Sequence, residues 1–406
     1  MRQQPARASS KRHYLGICAI AKDETPFLRE WAAYYHLIGF ERIFIYDNDS
    51  VVAIRDSVAD MYDAGMLDTY TIQGENMQLT AYNHCLQTHG AECEWMAFFD
   101  LDEFLLLPEE NDARAFCAGY EDFAGIAINS NNFSSSGHLR RPEGRGGLVI
   151  ENYLESLGPV HMGKCIVRPA LTTMPLSPEH FLFTEGHYAV NADKMPVFGG
   201  YAPRSDRALL NHYKFRSQQD YEEKVKRGYP IYIMPGVLRM EDFYAQASRP
   251  VTRETGILRH AARVRAIRES GKPDPYYAVD SGEIAAEAFP AGLARLAAAL
   301  ERDSGLARLV FLLGRRRFGD KAAYLALGCR ACRACGDGEN ARRAALDLLA
   351  VAPALSSHLE LFLASLLCGD RKEAERLSAF LLELAGREKD PALQKAVRDA
   401  WDGNLS

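Results

Sequence analysis

Alternation of apolar runs with amphipathic stretches, through roughly the first hundred residues, constrains this chain more than any other feature. Residues 14–21, YLGICAIA, form a continuous apolar run suited to a strand buried on both faces of a parallel sheet. A helix is expected next. Asp23 can cap it, Pro26 is tolerated in its first turn, Phe27, Trp31, Tyr34 and Ile38 recur at helical spacing, and Gly39 ends it. RIFIYDNDS (42–50) reads as a second strand, VVAIRDSVADMYDAG as a helix, LDTYTI as a third strand, QLTAYNHCLQTHG as a helix and WMAFFD as a fourth strand. Such alternation predicts a parallel, doubly wound sheet. Ligands of these sheets bind beyond the carboxyl ends of the strands, where Asp47, Asn48, Asp49, Asp100 and Asp102 fall.

The fourth strand runs into FFDLDEF (98–104), which sets three carboxylates within seven residues between apolar stretches. Acids this crowded repel one another, and burying them unpaired is costly, so either water or a cation must reach them. Alternate residues of an extended segment point the same way, so Asp100 and Asp102 present two carboxylates together. A hard divalent cation held there can bridge to a nucleotide diphosphate and stabilise the leaving phosphate as a Lewis acid. The plain alternative is a solvated turn with an aspartate cap. Likewise Asp47-Asn48-Asp49 has a helix-capping alternative, His212 that of a satisfied structural histidine, and Lys164 and Arg168 that of surface charges.

Bulk numbers narrow the classes. With 406 residues, 47% hydrophobic and 25% charged, the chain reads as an ordinary globular protein of two or three domains. A formal net charge of −6 argues against general nucleic-acid binding, which needs a basic surface. MRQQPARASSKRH at the start is basic and lacks an apolar core, so it is expected to be a disordered tail with weak attraction for an anionic membrane rather than a secretory signal. No apolar run approaches the roughly 20 residues that span a bilayer. Nine scattered cysteines fit reduced thiols and a cytoplasmic setting, peripheral at the inner membrane face. Cys329, Cys332 and Cys335 form CxxCxxC, but zinc and iron–sulfur sites need a fourth ligand, so packing is the expectation.

From about 124 to 235 the pattern changes to strand-like AGIAIN, GGLVIENYL, KCIVRPAL and HFLFTEGHYAV, separated by long loops such as NSNNFSSSGHLRRPEGRGG. This implies a mixed sheet, and long loops in compact domains are often functional. SQQDYEEKVKRG (217–228) reads as an amphipathic helix with a serine cap and a closing glycine. From about 284 nearly every residue is a helix former, and CGDGENARRAALDLLAVAP aligns with CGDRKEAERLSAFLLELAG. Gly336 matches Gly369, a period of 33 residues, near the tetratricopeptide period of about 34. Repeat surfaces of that kind contact a protein partner.

The series AIAKDETPFLREWAAYYHLIGFERIFIYDNDS, QLTAYNHCL, WMAFFDLDEFL, NNFSSSGH, KCIVRP and NHYKFRS resembles glycosyltransferase family 92 and family 2-like enzymes over roughly residues 14–230. The resemblance implies a GT-A (Rossmann-like) mixed-sheet α/β domain with a DxD motif, Mn²⁺ or Mg²⁺, and a nucleotide-sugar donor, a UDP-sugar foremost. It places Ala21 and Asp47 beside the base and ribose, and Gln78 and Asn83 at the donor. Asp100 faces ribose or metal, Asp102 the metal, and His212 completes the metal and diphosphate site. Lys164 and Arg168 are well typed for the diphosphate charge. The expected organisation is a tail (1–13), a GT-A glycosyltransferase domain (14–240), a charged connector (241–283) and an all-α tetratricopeptide-like domain (284–406).

The implied reaction moves sugar to a glycan or glycolipid hydroxyl in polysaccharide biosynthesis, with inversion. An inverting transferase needs a general base, for which Glu185 in FLFTEGHY is the candidate, with Asp193 and Glu103 as rivals. The chain departs from the family at KDE, where Arg-Asn-Glu or Lys-Asn-Glu is usual, and at NNFSSSGH, which lacks a tryptophan and a glycine; acceptor identity is what these changes unsettle. Two other readings stay open. A nucleotidyltransferase would carry a glycine-rich phosphate loop that CAIAKDETP lacks, and a non-catalytic repeat scaffold would have no use for intact Asp100 and Asp102.

Overall fold

The computed structural model describes residues 13–143, 147–197, 201–228, 239–273, 288–387 and 391–403; the tail expected over 1–13 lies outside them except for His13. The chain divides into two compact units, Met1–Asp280 and Ser281–Ser406. The first is α/β with a mixed sheet and the second is all helix, the fold class expected from the sequence. No helix among the described residues is long and apolar enough to cross a membrane.

Strands β1 (His13–Ala21), β2 (Arg42–Asn48), β3 (Asp68–Ile72) and β4 (Cys93–Phe98) run parallel in the order β3-β2-β1-β4. The sheet continues through β7 (Glu155–Val167), β6 (Gly125–Phe133), β11 (Leu209–His212) and β5 (Glu103–Leu106). β7 is antiparallel to both β4 and β6, while β11 runs parallel to β6 and antiparallel to β5. β10 (Ala189–Asn191) pairs with β6, β12 (Thr252–Arg253) with β7, and β8 (Thr172–Ser177) and β9 (His180–Phe183) form a separate hairpin. Chain order turns back between β1 and β4, so a crevice opens at their carboxyl ends.

The helix Thr25–Leu37 holds that end of the sheet together. Its apolar stripe buries Phe27, Leu28, Trp31, Tyr34 and Tyr35, as the periodicity predicts. The polar tips of three of these rings are used as well. Trp31 Nε1 donates to the carbonyls of Asp100 (3.0 Å) and Glu103 (3.1 Å), Tyr35 OH to that of Glu103 (2.9 Å), and Tyr34 OH to that of Leu105 (2.6 Å). Buried aromatic N–H and O–H groups need partners, and here the partners are the backbone of the acid turn.

Local assignments differ in three places. Asp23 does not cap the helix: its φ is +53° and its carboxylate accepts the Val51 N–H, while Glu24 occupies the cap position without a side-chain bond. GGLVIENYL contains a short helix, Val149–Asn152, instead of a strand, because the buried Glu30 carboxylate accepts the Val149 and Ile150 N–H groups (2.8 and 3.1 Å). Much of the charged stretch read as a connector is structured, forming Met240–Gln246 and Ala261–Ser270. Ala261, Val264 and Ile267 bury an i, i+3 stripe that the surrounding arginines hide from a periodicity count.

The 33-residue repeat returns as one corner built twice. Gly336 (φ +79°) and Gly369 (φ +73°) each follow a helix in the left-handed conformation, and Asp337 and Asp370 return their N–H to Cys332 and Ser365. This is the bonding pattern of a glycine-terminated helix. The same aspartates then accept the N–H of Asn340 and Glu373, starting the next helices. Cys329 and Cys332 are buried in the helix Ala322–Ala334, whereas Cys335 is exposed.

Candidate active site

The turn Asp100-Leu101-Asp102 joins β4 to β5 at the crevice floor, and each aspartate has its own set of partners. Asp100 accepts from Gln78 Nε2 (2.7 Å) and Tyr82 OH (3.1 Å), which lie one turn apart on the helix Gln78–His89. Its other oxygen lies 2.9 Å from Lys164 Nζ. Burial alone would lower the Lys164 pKa, but Asp100, Tyr82 and Glu103 hold it well above the usual lysine range. Asp102 meets Lys224 Nζ at 2.5 Å, and its second oxygen stands 3.5 Å from His212 Nε2. Burial pushes the Asp102 carboxyl up, yet Lys224 and His212 outweigh it and hold it well below the carboxylate range.

Glu103 is different. It is buried beneath the turn, where it accepts the Asp100 N–H (2.8 Å), and burial pushes its carboxyl well above the ordinary value despite Lys164 nearby. Glu24 closes one side of the site, tied to Arg216 (2.7 Å) and Arg227.

Eight of the residues singled out from the sequence line this one crevice of about 650 Å³: Ala21, Asn48, Gln78, Asp100, Asp102, Glu103, Lys164 and His212. Asp47, Asp49, Asn83, Arg168, Glu185 and Asp193 do not line it. Both carboxylate oxygens of Asp47 are taken by the Ser50 and Ile54 N–H groups (3.1 and 2.9 Å), the capping alternative; its neighbour Asn48 lines the crevice and donates to the Gly74 carbonyl. Asn83 is exposed, and Glu185 stands exposed after β9.

Arg168 pairs with Glu94 (3.0 Å) and the Glu121 carbonyl. β7 runs against β4, with Met96 opposite Val167, so each residue beyond Lys164 moves about 3.4 Å away from the crevice. The rival base Asp193 sits exposed in a separate depression beside Arg204.

Tyr82, Glu24, Lys22, Lys214, Lys224 and Arg227 also form the site without having been singled out. The only sequence signal for the last two is the basic end of SQQDYEEKVKRG. That segment forms the helix Gln218–Arg227, fastened by a Ser217/Asp220 capping box.

Among the described residues, no cluster of three histidine, cysteine or acidic side chains closes around a point. The Asp102 oxygen and His212 Nε2 nonetheless face each other at ligand–ligand separation. A hard cation held by few protein ligands and completed by substrate phosphates fits such a pair. Fold and site thereby define a class: an α/β protein whose ligand crevice lies where the strand order turns back, walled by aspartates and lysines.

A family model for glycosyltransferase family 92 matches residues 13–232, more than half of the chain, and the chain belongs to that family. A family 92 protein of Ricinus communis is 30% identical over 245 residues, covering 56% of this chain and 39% of that protein. One of Arabidopsis thaliana is 27% identical over 250 residues, covering 57% and 40%. The chain thus spans about two fifths of the length of these relatives.

Among solved structures, S. aureus TarS superposes with a TM-score of 0.29 at 13% identity, covering 78% of this chain and 55% of that one. TarS 1–349 in complex with UDP gives 0.28 at 13% identity, covering 84% and 92%.

Proposed function

We propose that this chain is a glycosyltransferase that moves a sugar from a UDP-sugar to a glycan or glycolipid hydroxyl, with inversion and with Mn²⁺ or Mg²⁺ bound at Asp102 and His212. Family membership supports the class of reaction. One observation carries the site: Asp100 and Asp102 from the β4–β5 turn, Lys164 from β7 and His212 from the end of β11 converge in a single crevice.

A bound divalent cation supplies Lewis-acid stabilisation of the departing diphosphate. The protein's own part is positional. Gln78, Tyr82 and Lys164 hold Asp100 in one orientation toward the donor, and Trp31 and Tyr35 hold the turn beneath it. Ala21 and Asn48, at the ends of β1 and β2, are the positions for the nucleoside.

Glu185 stands outside the crevice, so the general-base role passes to Glu179. That carboxylate lines the crevice at the β8–β9 turn, bonded by Ser177 Oγ (2.9 Å) and forming no ion pair among the described residues. Cytoplasmic polysaccharide assembly, with a protein partner on the helical unit, belongs to the same proposal.

The test is UDP-sugar turnover with and without Mn²⁺. Asp102→Asn should lower it about a thousandfold, the equivalent of several kcal/mol of lost charge stabilisation, while circular dichroism stays unchanged. Undiminished turnover in that variant ends the assignment, as does a native chain whose melting temperature no UDP-sugar shifts in the presence of Mn²⁺.

A further inference from the structure

The cations around the crevice fall into two groups. Lys164, Lys224 and Arg227 are committed: each stands against a carboxylate, Asp100, Asp102 and Glu24 respectively. Their charges are spent on holding the acids in place. Lys22 and Lys214 also line the crevice, but neither forms an ion pair among the described residues.

Lys214 is the better placed of the two. It lies two residues beyond His212, the last residue of β11, and both side chains reach the crevice. Tyr213 between them is fully buried. The Tyr213 N–H donates to the Asp102 carbonyl (2.7 Å), and His212 lies opposite Glu103 in the β11–β5 ladder. The Lys214 backbone is therefore tied to the same turn that carries both aspartates.

We propose that Lys214 is the residue that grips the diphosphate of the nucleotide, an assignment that rests on the glycosyltransferase reading above. The side chain is partly buried and lines the crevice without an ion-pair partner among the described residues. A partly buried cation held in that way is costly, and an arriving anion relieves the cost. Lysine serves phosphate as a point charge, which suits a group that must let the product go. A neutral nucleoside makes no such contact. Lys214 thus acts as a selector for the phosphorylated ligand.

The test measures UDP and uridine binding by calorimetry, with Mn²⁺ and with chelator, for the full chain and its Lys214→Met and Lys214→Arg variants. Lys214→Met should weaken UDP about tenfold in both conditions and leave uridine unchanged, and Lys214→Arg should recover most of the loss. The melting temperature of the free Lys214→Met chain should hold or rise, since an unpaired buried charge has been removed. Equal UDP affinity in the native chain and Lys214→Met overturns the assignment of Lys214 alone. A native chain that binds neither UDP nor uridine overturns the glycosyltransferase reading, and Lys214 with it.

Discussion

The two units treat charge in opposite ways. In the α/β unit Glu24, Glu30, Asp102, Glu103, Arg114, Lys164 and Arg216 are all buried. In the helical unit the buried polar side chains among the described residues are Asn340, Ser357 and Ser365, and no charged one is among them. Its ion pairs, such as Arg333–Glu360 (2.7 Å) between the helices Ala322–Ala334 and Leu355–Leu367, lie at partly exposed positions. Burying charge costs several kcal/mol per ion unless it is paired and hydrogen-bonded. The helical unit avoids that cost; in the α/β unit Glu24, Asp102, Glu103 and Lys164 bear it at the crevice with Arg216 beside them, while Glu30 and Arg114 are satisfied elsewhere. A cost localised in this way marks where the molecule meets its ligand.

Glycine replacement gives the largest test of that contrast. A Cβ at Gly163, which lines the crevice, would stand 1.6 Å from the Ile128 carbonyl oxygen, and backbone in a sheet cannot give way. Gly163→Ala should destabilise the α/β unit by about 3 kcal/mol or more and abolish nucleotide binding. A Cβ at Gly328 would meet the Phe311 ring at 2.1 Å, and a side chain can shift. Gly328→Ala should cost about 1–3 kcal/mol by denaturant unfolding and leave nucleotide affinity as it was. If Gly328→Ala weakens nucleotide binding as Gly163→Ala does, the two units do not divide the labour as described.

Glu30 sharpens the comparison through pH. Burial pushes its carboxyl to about 7 from an ordinary 4.5, with the Val149 and Ile150 N–H groups opposing. The folded state then keeps a proton that the unfolded chain releases, so stability falls as pH rises from 4.5 to 7. The fall is at most about 3 kcal/mol at roughly 1.4 kcal/mol per pH unit. Glu30→Gln should flatten that part of the profile; parallel curves for variant and native chain would show that Glu30 does not titrate there. The smallest effect is expected at Arg333→Met in the helical unit, about 0.5 kcal/mol by denaturant melts, as for other partly exposed pairs. A loss of several kcal/mol there would place a buried-type pair where none has been described.

Much of the α/β unit was legible because its signals are local. The apolar run of β1, the stripe from Phe27 to Tyr34 and the acids after β4 all depend on neighbours within a few residues. Three lysines and one arginine that line the crevice, Lys22, Lys214, Lys224 and Arg227, were not legible. Lys164 and Arg168 have the same spacing parity and similar chemistry, yet one meets Asp100 and the other meets Glu94. Asp47 looked as well placed as Asp100, but two backbone N–H groups seven residues or fewer ahead consume it.

By itself the sequence determined the alternation of strand and helix, the acid turn beyond β4 and the Gly-Asp corners at residues 336–337 and 369–370, because periodicity, caps and turns are interactions over a handful of residues. Tertiary structure alone decided which cation each acid receives. Lys224 reaches Asp102 across 122 residues of chain, and the reversed direction of β7 brings Lys164 in and carries Arg168 out. Coulomb attraction acts on distance in space, and strand direction sets that distance only once the sheet has closed.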